Sequence, residues 1–289
     1  MTAVPLLAQP VEIYEFTDAR SVSADRLGIV YVVDGTLSTV TRLTPAGAVI
    51  DGLGGAGSGD YAFDEPVDID PSNGLVMAVA DAGNGVVKRY TNELLHIETL
   101  PVAVPDIGDR ELAGFRGIRV DEGSLDTWVR GRPVAVASTL EGEVFALDAD
   151  RGLVLKWDST RRLERVFGGS DANEGMLVEP VAMETDNEGT VYVADAGTGR
   201  VHVFDRFGTF ARVMALDASE IVNLGLYRDR LLVVQPDGVQ VFTLQGRLLD
   251  TVSAPVDARL VDADVVLGPG GRSTLLLLTE RALFAYQPE

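Results

Sequence analysis

The chain contains no cysteine. Composition alone therefore excludes disulfide bonds, thiolate metal ligands and a cysteine nucleophile. Lysine occurs only at Lys88 and Lys156, and histidine only at His96 and His202. No Gly-x-Ser-x-Gly nucleophile motif and no phosphate-binding lysine loop is present, so the common sequence signatures of serine hydrolases and nucleotide-binding enzymes are missing.

Positive charge is also scarce. The 289 residues include 24 Lys and Arg against 44 Asp and Glu, a formal net charge of −20. Such a chain repels phosphate backbones, so we expect no nucleic-acid partner. The acidic surface fits simple solubility, a salty medium or a cationic partner.

Long apolar runs are absent too. The longest, Leu75 to Ala80, is far shorter than the ~20 residues of a membrane helix, so we expect a soluble protein that does not span a membrane. At the start, Ala3 to Gln9 is similar to a signal-peptide cleavage region. We therefore expect residues 1–10 to be an N-terminal extension or a signal remnant, and an extracytoplasmic location, in the periplasm or at the cell surface. A cytoplasmic location is the alternative.

What the chain does contain is a repeat. The segment from Ala80 to Gly85, Ala-Asp-Ala-Gly-Asn-Gly, recurs from Ala194 to Gly199 as Ala-Asp-Ala-Gly-Thr-Gly, each time between two strand-like runs. Four units align without gaps on one turn aspartate, at Asp34, Asp81, Asp148 and Asp195. The recurrence predicts a repeated sheet unit of strand, tight turn and strand.

Further turn signals complete each unit. Pro66, Pro133 and Pro180 begin a preceding strand, and Gly47, Gly208 and Gly246 mark a third turn followed by one more apolar strand. Two weaker copies end the series, and the last lacks its fourth strand, whereas residues 11–16 form an orphan strand. We predict an all-β, six-bladed β-propeller of four-stranded antiparallel blades over residues 11–289, with the N-terminal strand closing the last blade.

The period is interrupted by surplus residues at 104–132. Long connections carry function more often than short ones, so this insertion is either a packing flap, a binding element or a misregistered blade. Trp128 within it is a candidate for contact with a partner. We interpret the four turn aspartates as structural, since Asp accepts backbone N–H bonds in turns.

Two copies carry a family resemblance. Residues 179–182, 189–195 and 200–204 (Glu-Pro-Val-Ala, Gly-Thr-Val-Tyr-Val-Ala-Asp and Arg-Val-His-Val-Phe) resemble the NHL repeat of six-bladed propellers. Propellers of this type include protein-binding scaffolds, RNA-binding modules, hydrolases of carbohydrates or lactones, and lyases, so the resemblance implies one of these functions. The negative charge argues against RNA binding. The lyases implied by the resemblance need histidines at a metal, and the repeat puts His96 and His202 in different blades.

Carboxylates recur along the expected innermost strands, which line a propeller's central channel. Glu65 and Glu179 precede the strand prolines, Asp68 and Glu184 lie along the strands, and Asp262 and Asp264 occupy the matching stretch of the last blade. A ring of acids from several blades could bind Ca²⁺, which takes six to eight oxygen ligands, or could form a solvated acidic pore.

The function we expect from these patterns is a noncatalytic protein-binding or scaffold propeller without a cofactor, either monomeric or part of an extracytoplasmic complex. The alternative is a metal-dependent hydrolase or lactonase, with a carboxylate-lined cation site at the channel mouth.

Overall fold

The computed structural model describes residues 9–106, 127–169, 175–216, 220–268 and 271–287. These residues form six four-stranded antiparallel sheets and one two-stranded ribbon. They include no α-helix, and hence none long and apolar enough to cross a membrane. The prediction of an all-β propeller with six four-stranded blades is confirmed.

Each of blades 1 to 3 is a meander numbered outward from the channel. Blade 1 contains β2 (Ala19–Ala24), β3 (Val30–Asp34), β4 (Thr39–Leu43) and β5 (Val49–Gly54). Blade 2 contains β6 (Pro66–Asp70), β7 (Val76–Asp81), β8 (Val86–Thr91) and β9 (His96–Pro101). Blade 3 contains β12 (Pro133–Ser138), β13 (Val144–Asp148), β14 (Leu153–Trp157) and β15 (Leu163–Gly168). Between blades 2 and 3, the ribbon pairs β10 (Ala103–Pro105) with β11 (Trp128–Arg130).

Blades 4 and 5 repeat this order, and blade 6 is composite. Blade 4 contains β16 (Pro180–Thr185), β17 (Val191–Asp195), β18 (Arg200–Phe204) and β19 (Phe210–Ala215). Blade 5 contains β20 (Asn223–Tyr227), β21 (Arg230–Gln235), β22 (Gly238–Thr243) and β23 (Leu248–Ser253). Blade 6 contains β24 (Leu260–Leu267), β25 (Ser273–Thr279), β26 (Ala282–Tyr286) and, from the other end of the chain, β1 (Val11–Glu15).

The N-terminal strand closes the ring as expected. β1 pairs antiparallel with β26 from Val11 opposite Ala285 to Glu15 opposite Ala282. Beyond the strand, the Phe16 N–H donates to the Arg281 carbonyl at 2.7 Å. Blade 6 therefore has its fourth strand, and the first and last segments of the fold share one sheet.

The core is divided among the blade interfaces. Six clusters of buried apolar side chains each join two consecutive blades, and the cluster between blades 6 and 1 includes Ile13 and Tyr14 of β1. Each sheet therefore buries both faces against its neighbours, which is why the repeats read as short apolar strands with polar turns.

The four turn aspartates contact the segment that enters the innermost strand of their own blade. Asp34 accepts from the Thr17 and Asp18 N–H groups, and Asp195 from those of Val178 and Glu179. Asp81 and Asp148 make the equivalent bonds. All four side chains are buried, so their recurrence is explained by blade architecture.

Most of the predicted insertion, residues 107–126, lies outside the described residues, as do residues 1–8 of the predicted N-terminal extension. Trp128, on β11, is partly buried and packs against the cluster between blades 2 and 3.

Candidate functional site

The six innermost strands, β2, β6, β12, β16, β20 and β24, surround the propeller axis and run in the same direction. We call the end of the channel where they begin the leading end and the opposite end the trailing end. In blades 1, 2, 3, 4 and 6 the pairing of this strand with its neighbour shifts directly after its first residue. Such a bulge re-aims the side chains that follow it.

Two rings of polar side chains follow the bulge. Strand pairing places Ser21, Asp68, Asn223 and Asp262 at one level, which we call the inner ring. Two residues further along lies the outer ring, with Ser23, Asp70, Glu184 and Asp264. Because alternate residues of a strand share a face, each strand can contribute to both rings. The outer-ring acids belong to blades 2, 4 and 6, which alternate around the axis.

A cavity of about 370 Å³ opens at the trailing end. The three outer-ring acids Asp70, Glu184 and Asp264 line it. Below them lies a void of about 20 Å³ that the inner-ring acids also line, with room for about one water molecule. Among the described residues, none from the leading end, where Glu65 and Glu179 precede the innermost strands, lines this cavity.

Two arginines lie at the mouth of the cavity. Arg26 of blade 1 donates from Nη2 to Oδ1 of Asn187 in blade 4 at 3.1 Å, a contact between opposite sides of the ring. The Arg228 guanidinium lies 5.0 Å from the centre of the Tyr227 ring. Among the described residues, the contacts of both cations are thus with neutral partners.

The two rings contain five acids, which we call the channel acids: Asp68, Asp70, Glu184, Asp262 and Asp264. Four of them accept hydrogen bonds from backbone N–H groups. Asp262 and Asp264 of blade 6 accept from the Val22 and Ala24 N–H groups of blade 1, each at 2.7 Å. Asp68 of blade 2 accepts from Val136 of blade 3 at 2.8 Å. These bonds join innermost strands that share no sheet. The carboxylates therefore help to hold neighbouring blades together as well as lining the channel.

Glu184 and Asp70 differ from the other channel acids because each has at least one carboxylate oxygen that accepts no hydrogen bond from the described residues. Within the described chain, Glu184 accepts no hydrogen bond, and the charges that act on it are those of the other four acids. Asp70 accepts from the Ser72 N–H through Oδ1 at 2.8 Å, but its Oδ2 is buried without a partner among the described residues. Each of these two acids can therefore accept a hydrogen bond from a ligand or from water.

Burial without a neutralising cation raises the pKa of every acid in the two rings. Burial raises the pKa of Asp68 and of Asp264, and hydrogen bonds to each carboxylate offset part of that increase. The resulting pKa is about 6 for Asp68 and about 7 for Asp264. Burial, and then repulsion among the acids, raises the pKa of Glu184 well above its usual range, and burial does the same for Asp262. Burial also raises the pKa of Asp70. The group therefore holds protons near neutrality and releases them as a coupled set.

The structure brings together four of the seven candidates named from the sequence: Asp68, Glu184, Asp262 and Asp264. It separates the other three from them. Glu65 and Glu179 are exposed at the leading end, where Glu65 pairs with Arg132 at 3.1 Å. Trp128 lies at the interface between blades 2 and 3.

Sequence reasoning missed Asp70, Arg26 and Arg228. Asp70 follows Asp68 by two residues on one strand, the same spacing that identified Asp262 with Asp264, so the spacing could have revealed it. The arginines lie in turns after innermost strands and carry no pattern of their own.

The fit of this site to Ca²⁺ is incomplete. Its donors are the hard oxygens that Ca²⁺ prefers. However, no group of three or more His, Asp or Glu side chains in the described parts of the chain is arranged to hold one metal ion. Calcium binding stays a prediction.

The chain is similar in fold to solved enzyme structures. One is a gluconolactonase from Xanthomonas campestris, important in glucose secondary metabolism: 13% identity, TM-score 0.66, covering 98% of this chain and 90% of that one. Another, from a structural-genomics programme and assigned to the gluconolactonases, gives 13% identity, TM-score 0.65, and coverage of 99% and 93%. A streptogramin B lyase gives 8% identity, TM-score 0.62, and coverage of 98% and 99%.

At these identities the likeness shows the fold, a six-bladed propeller. No protein-family model and no curated protein matches the chain, so the resemblance to the NHL repeat is not confirmed.

These findings correct the functional prediction. A noncatalytic binding scaffold was expected because no sequence motif marked a catalytic site, and that expectation is wrong: the similar structures are named as enzymes. The sequence did not reveal the site because its acids belong to blades 2, 4 and 6, which are far apart in the chain and meet only when the ring closes.

Proposed function

We propose that the protein is a lactonase, a hydrolase of cyclic esters, and that its active site is the cavity at the trailing end of the channel. The observation that carries the proposal is the state of Glu184. It lines an open cavity, accepts no hydrogen bond from the described residues, and has a pKa raised well above its usual range by burial and by four neighbouring acids. Burial of this kind favours the protonated form of the carboxyl, and a protonated carboxyl has a proton to donate.

Hydrolysis of a lactone needs a base and an acid. Water adds to the ester carbonyl carbon while a base takes its proton, and the ring C–O bond breaks as an acid protonates the leaving oxygen, which yields a hydroxy acid. Asp264, with a pKa of about 7, is partly ionised near neutrality and serves as the base. Asp264 also accepts the Ala24 and Val265 N–H bonds, which stabilise its ionised form, whereas Glu184 accepts no hydrogen bond from the described residues and burial favours its protonated form; Glu184 therefore serves as the acid.

The comparisons support this assignment through the fold. Two of the similar structures carry the gluconolactonase name, and each likeness extends over nearly the whole of this chain. A cavity of about 370 Å³ is within the ordinary size of a small-molecule site. The repeats that build it are, in our assignment, divergent NHL-type repeats.

The test is acid release from glucono-δ-lactone and γ-butyrolactone, followed with a pH indicator against the uncatalysed rate. We expect turnover by the natural protein and a loss of about 10²-fold or more in kcat for Glu184→Gln, which cannot donate the proton. Glu179→Gln is the matched control, because this glutamate is in the same blade but exposed at the leading end. Absence of turnover with every lactone, or equal activity of Glu184→Gln and the natural protein, would refute the proposal.

A further inference from the structure

The lining of the cavity contains more carboxyl groups than cationic groups. Five acids line it, namely Asp25, Asp70, Glu184, Asp186 and Asp264, against the two arginines Arg26 and Arg228. Those arginines contact Asn187 and Tyr227, which are neutral. Burial raises the pKa of Asp70, Glu184 and Asp264, and a cation bound among them would favour their ionised forms.

A second, independent observation points to a missing hydrogen-bond donor. Asp70 is only 8% exposed, it lines both the cavity and the void beneath it, and its Oδ2 has no partner among the described residues. A buried carboxylate oxygen without a donor is costly, so such atoms are rarely left unpaired. A positively charged donor would satisfy Asp70 Oδ2 and stabilise the ionised form of Asp70 and of the acids around it.

Two kinds of cation could meet that need, and the geometry favours the organic one. A metal ion requires several oxygens at one point, whereas no three acids in the described part of the chain are grouped to hold one. The acids are instead spread over two rings and the rim of a cavity of about 370 Å³. That is room for a molecule, and an ammonium group can donate to acids that are spread apart.

We propose that the substrate of this cavity carries a protonated amine, and that an N–H of the amine donates to Asp70 Oδ2. That the amine-bearing molecule is a substrate rests on the proposed lactonase function. That the cavity binds an amine does not depend on that function. Asp70 fixes the charged end, which leaves Glu184 and Asp264 for the ester.

Binding is tested first, without reference to activity. Butylamine is titrated into the full chain by calorimetry at constant ionic strength, with butanol as the neutral isostere and CaCl₂ as the metal arm. We expect saturable binding of butylamine, none of butanol, and binding weakened about tenfold or more in Asp70→Asn, as expected for loss of a charge-assisted hydrogen bond.

The matched control is Asp229→Asn, because Asp229 is exposed in the turn after β20 on the same side of the propeller and does not line the cavity. Equal weakening by Asp70→Asn and Asp229→Asn would show diffuse attraction to an acidic protein and overturn the proposal. Saturable Ca²⁺ binding that depends on Asp70, with no butylamine binding, would overturn it in favour of a metal ion. If Asp70→Asn does not fold, the comparison of butylamine with butanol on the natural protein decides.

Activity is tested second, with α-amino-γ-butyrolactone against γ-butyrolactone. A higher kcat/KM for the amino lactone that falls selectively in Asp70→Asn supports both proposals. Butylamine binding without hydrolysis of any lactone refutes the lactonase and leaves the amine site standing. Hydrolysis of both lactones with equal kcat/KM, without butylamine binding, refutes the amine site and leaves the lactonase standing.

Discussion

The Val22 N–H of blade 1 donates a 2.7 Å hydrogen bond to Oδ2 of Asp262 in blade 6, 240 residues later in the chain. The other oxygen of Asp262 accepts from the Ala263 N–H at 2.8 Å. Both bonds are buried, at the interface where the ring closes. One side chain thus satisfies two backbone donors at the junction of the first and last blades.

Asp262→Ala should therefore destabilise the fold. It leaves two buried N–H groups without their acceptor, which costs on the order of 1–3 kcal/mol each in unfolding free energy. The measurement is urea denaturation at about pH 5, because burial raises the pKa of Asp262 and a lower pH therefore limits the cost of its buried charge. Asp250→Ala, on the outermost strand of blade 5, is the control. Equal midpoints for the two variants would contradict the role of Asp262 in closure.

Deletion of residues 1–17 should destabilise the whole ring. It removes β1, exposes the edge of β26 and uncovers the cluster between blades 6 and 1. We expect a lower melting temperature and aggregation, measured by calorimetry and light scattering. A deletion variant as soluble and as heat-stable as the natural protein would argue against closure by the N-terminal strand.

The turn aspartates offer a graded comparison. Asp81 is fully buried and pairs with the buried Lys88 at 3.0 Å, whereas Asp34 accepts hydrogen bonds from backbone N–H groups alone within the described residues. Asp81→Ala leaves the buried Lys88 ammonium with carbonyl acceptors but without its carboxylate, and breaking a buried ion pair costs about 3–5 kcal/mol. We expect its unfolding free energy to fall further than that of Asp34→Ala. A larger loss in Asp34→Ala would show that the amide bonds, not the ion pair, dominate.

The fold could be predicted because each blade repeats local signals. The bond from Asp195 to the segment before Pro180 recurs in other blades, so a turn aspartate marks each of blades 1 to 4 and a strand proline marks each of blades 2 to 4. The site could be predicted only in part. Asp68 and Asp262 were recognisable as channel residues, yet they share a ring because blades 2 and 6 flank blade 1 in space. Nothing local to Arg26 indicates that it reaches Asn187 across the axis.

The position of the cavity could not be predicted for a similar reason. The sequence shows which residues begin and end an innermost strand, but not at which end the channel widens. Glu179 and Glu184 lie on the same blade, five residues apart, and only the packed ring shows that one is exposed outside the channel and the other is enclosed within it.

Stability should fall as pH rises through neutrality. The channel acids have pKa values raised above those of the unfolded chain, so the native state binds more protons between the two values. Their contribution is fully present below about pH 4 and is lost as pH rises through about 6 to 7. Asp51 and Asp158, whose pKa values are lowered by hydrogen bonds, act in the opposite direction in acid. We therefore expect a higher melting temperature at about pH 5 than at about pH 8.

The double variant Glu184→Gln with Asp264→Asn should flatten this dependence, because two of the titrating groups are gone. Its melting temperature at about pH 8 should exceed that of the natural protein, since it no longer confines those two charges. Glu179→Gln should retain the natural slope. An unchanged slope in the double variant would show that other groups set the pH dependence.

The pH dependence of catalysis should identify the roles of the two acids. If Asp264 is the base, kcat/KM rises with pH through its pKa of about 7, and falls again where Glu184 loses its proton. Asp264→Asn should abolish the rising limb and lower kcat by about 10²-fold or more, whereas Glu184→Gln should abolish the falling limb. Initial rates over a pH series measure this. A rising limb that survives in Asp264→Asn would assign the base to another residue, and because the acids titrate as a coupled set, Asp68, with a pKa of about 6, is the next to replace by asparagine.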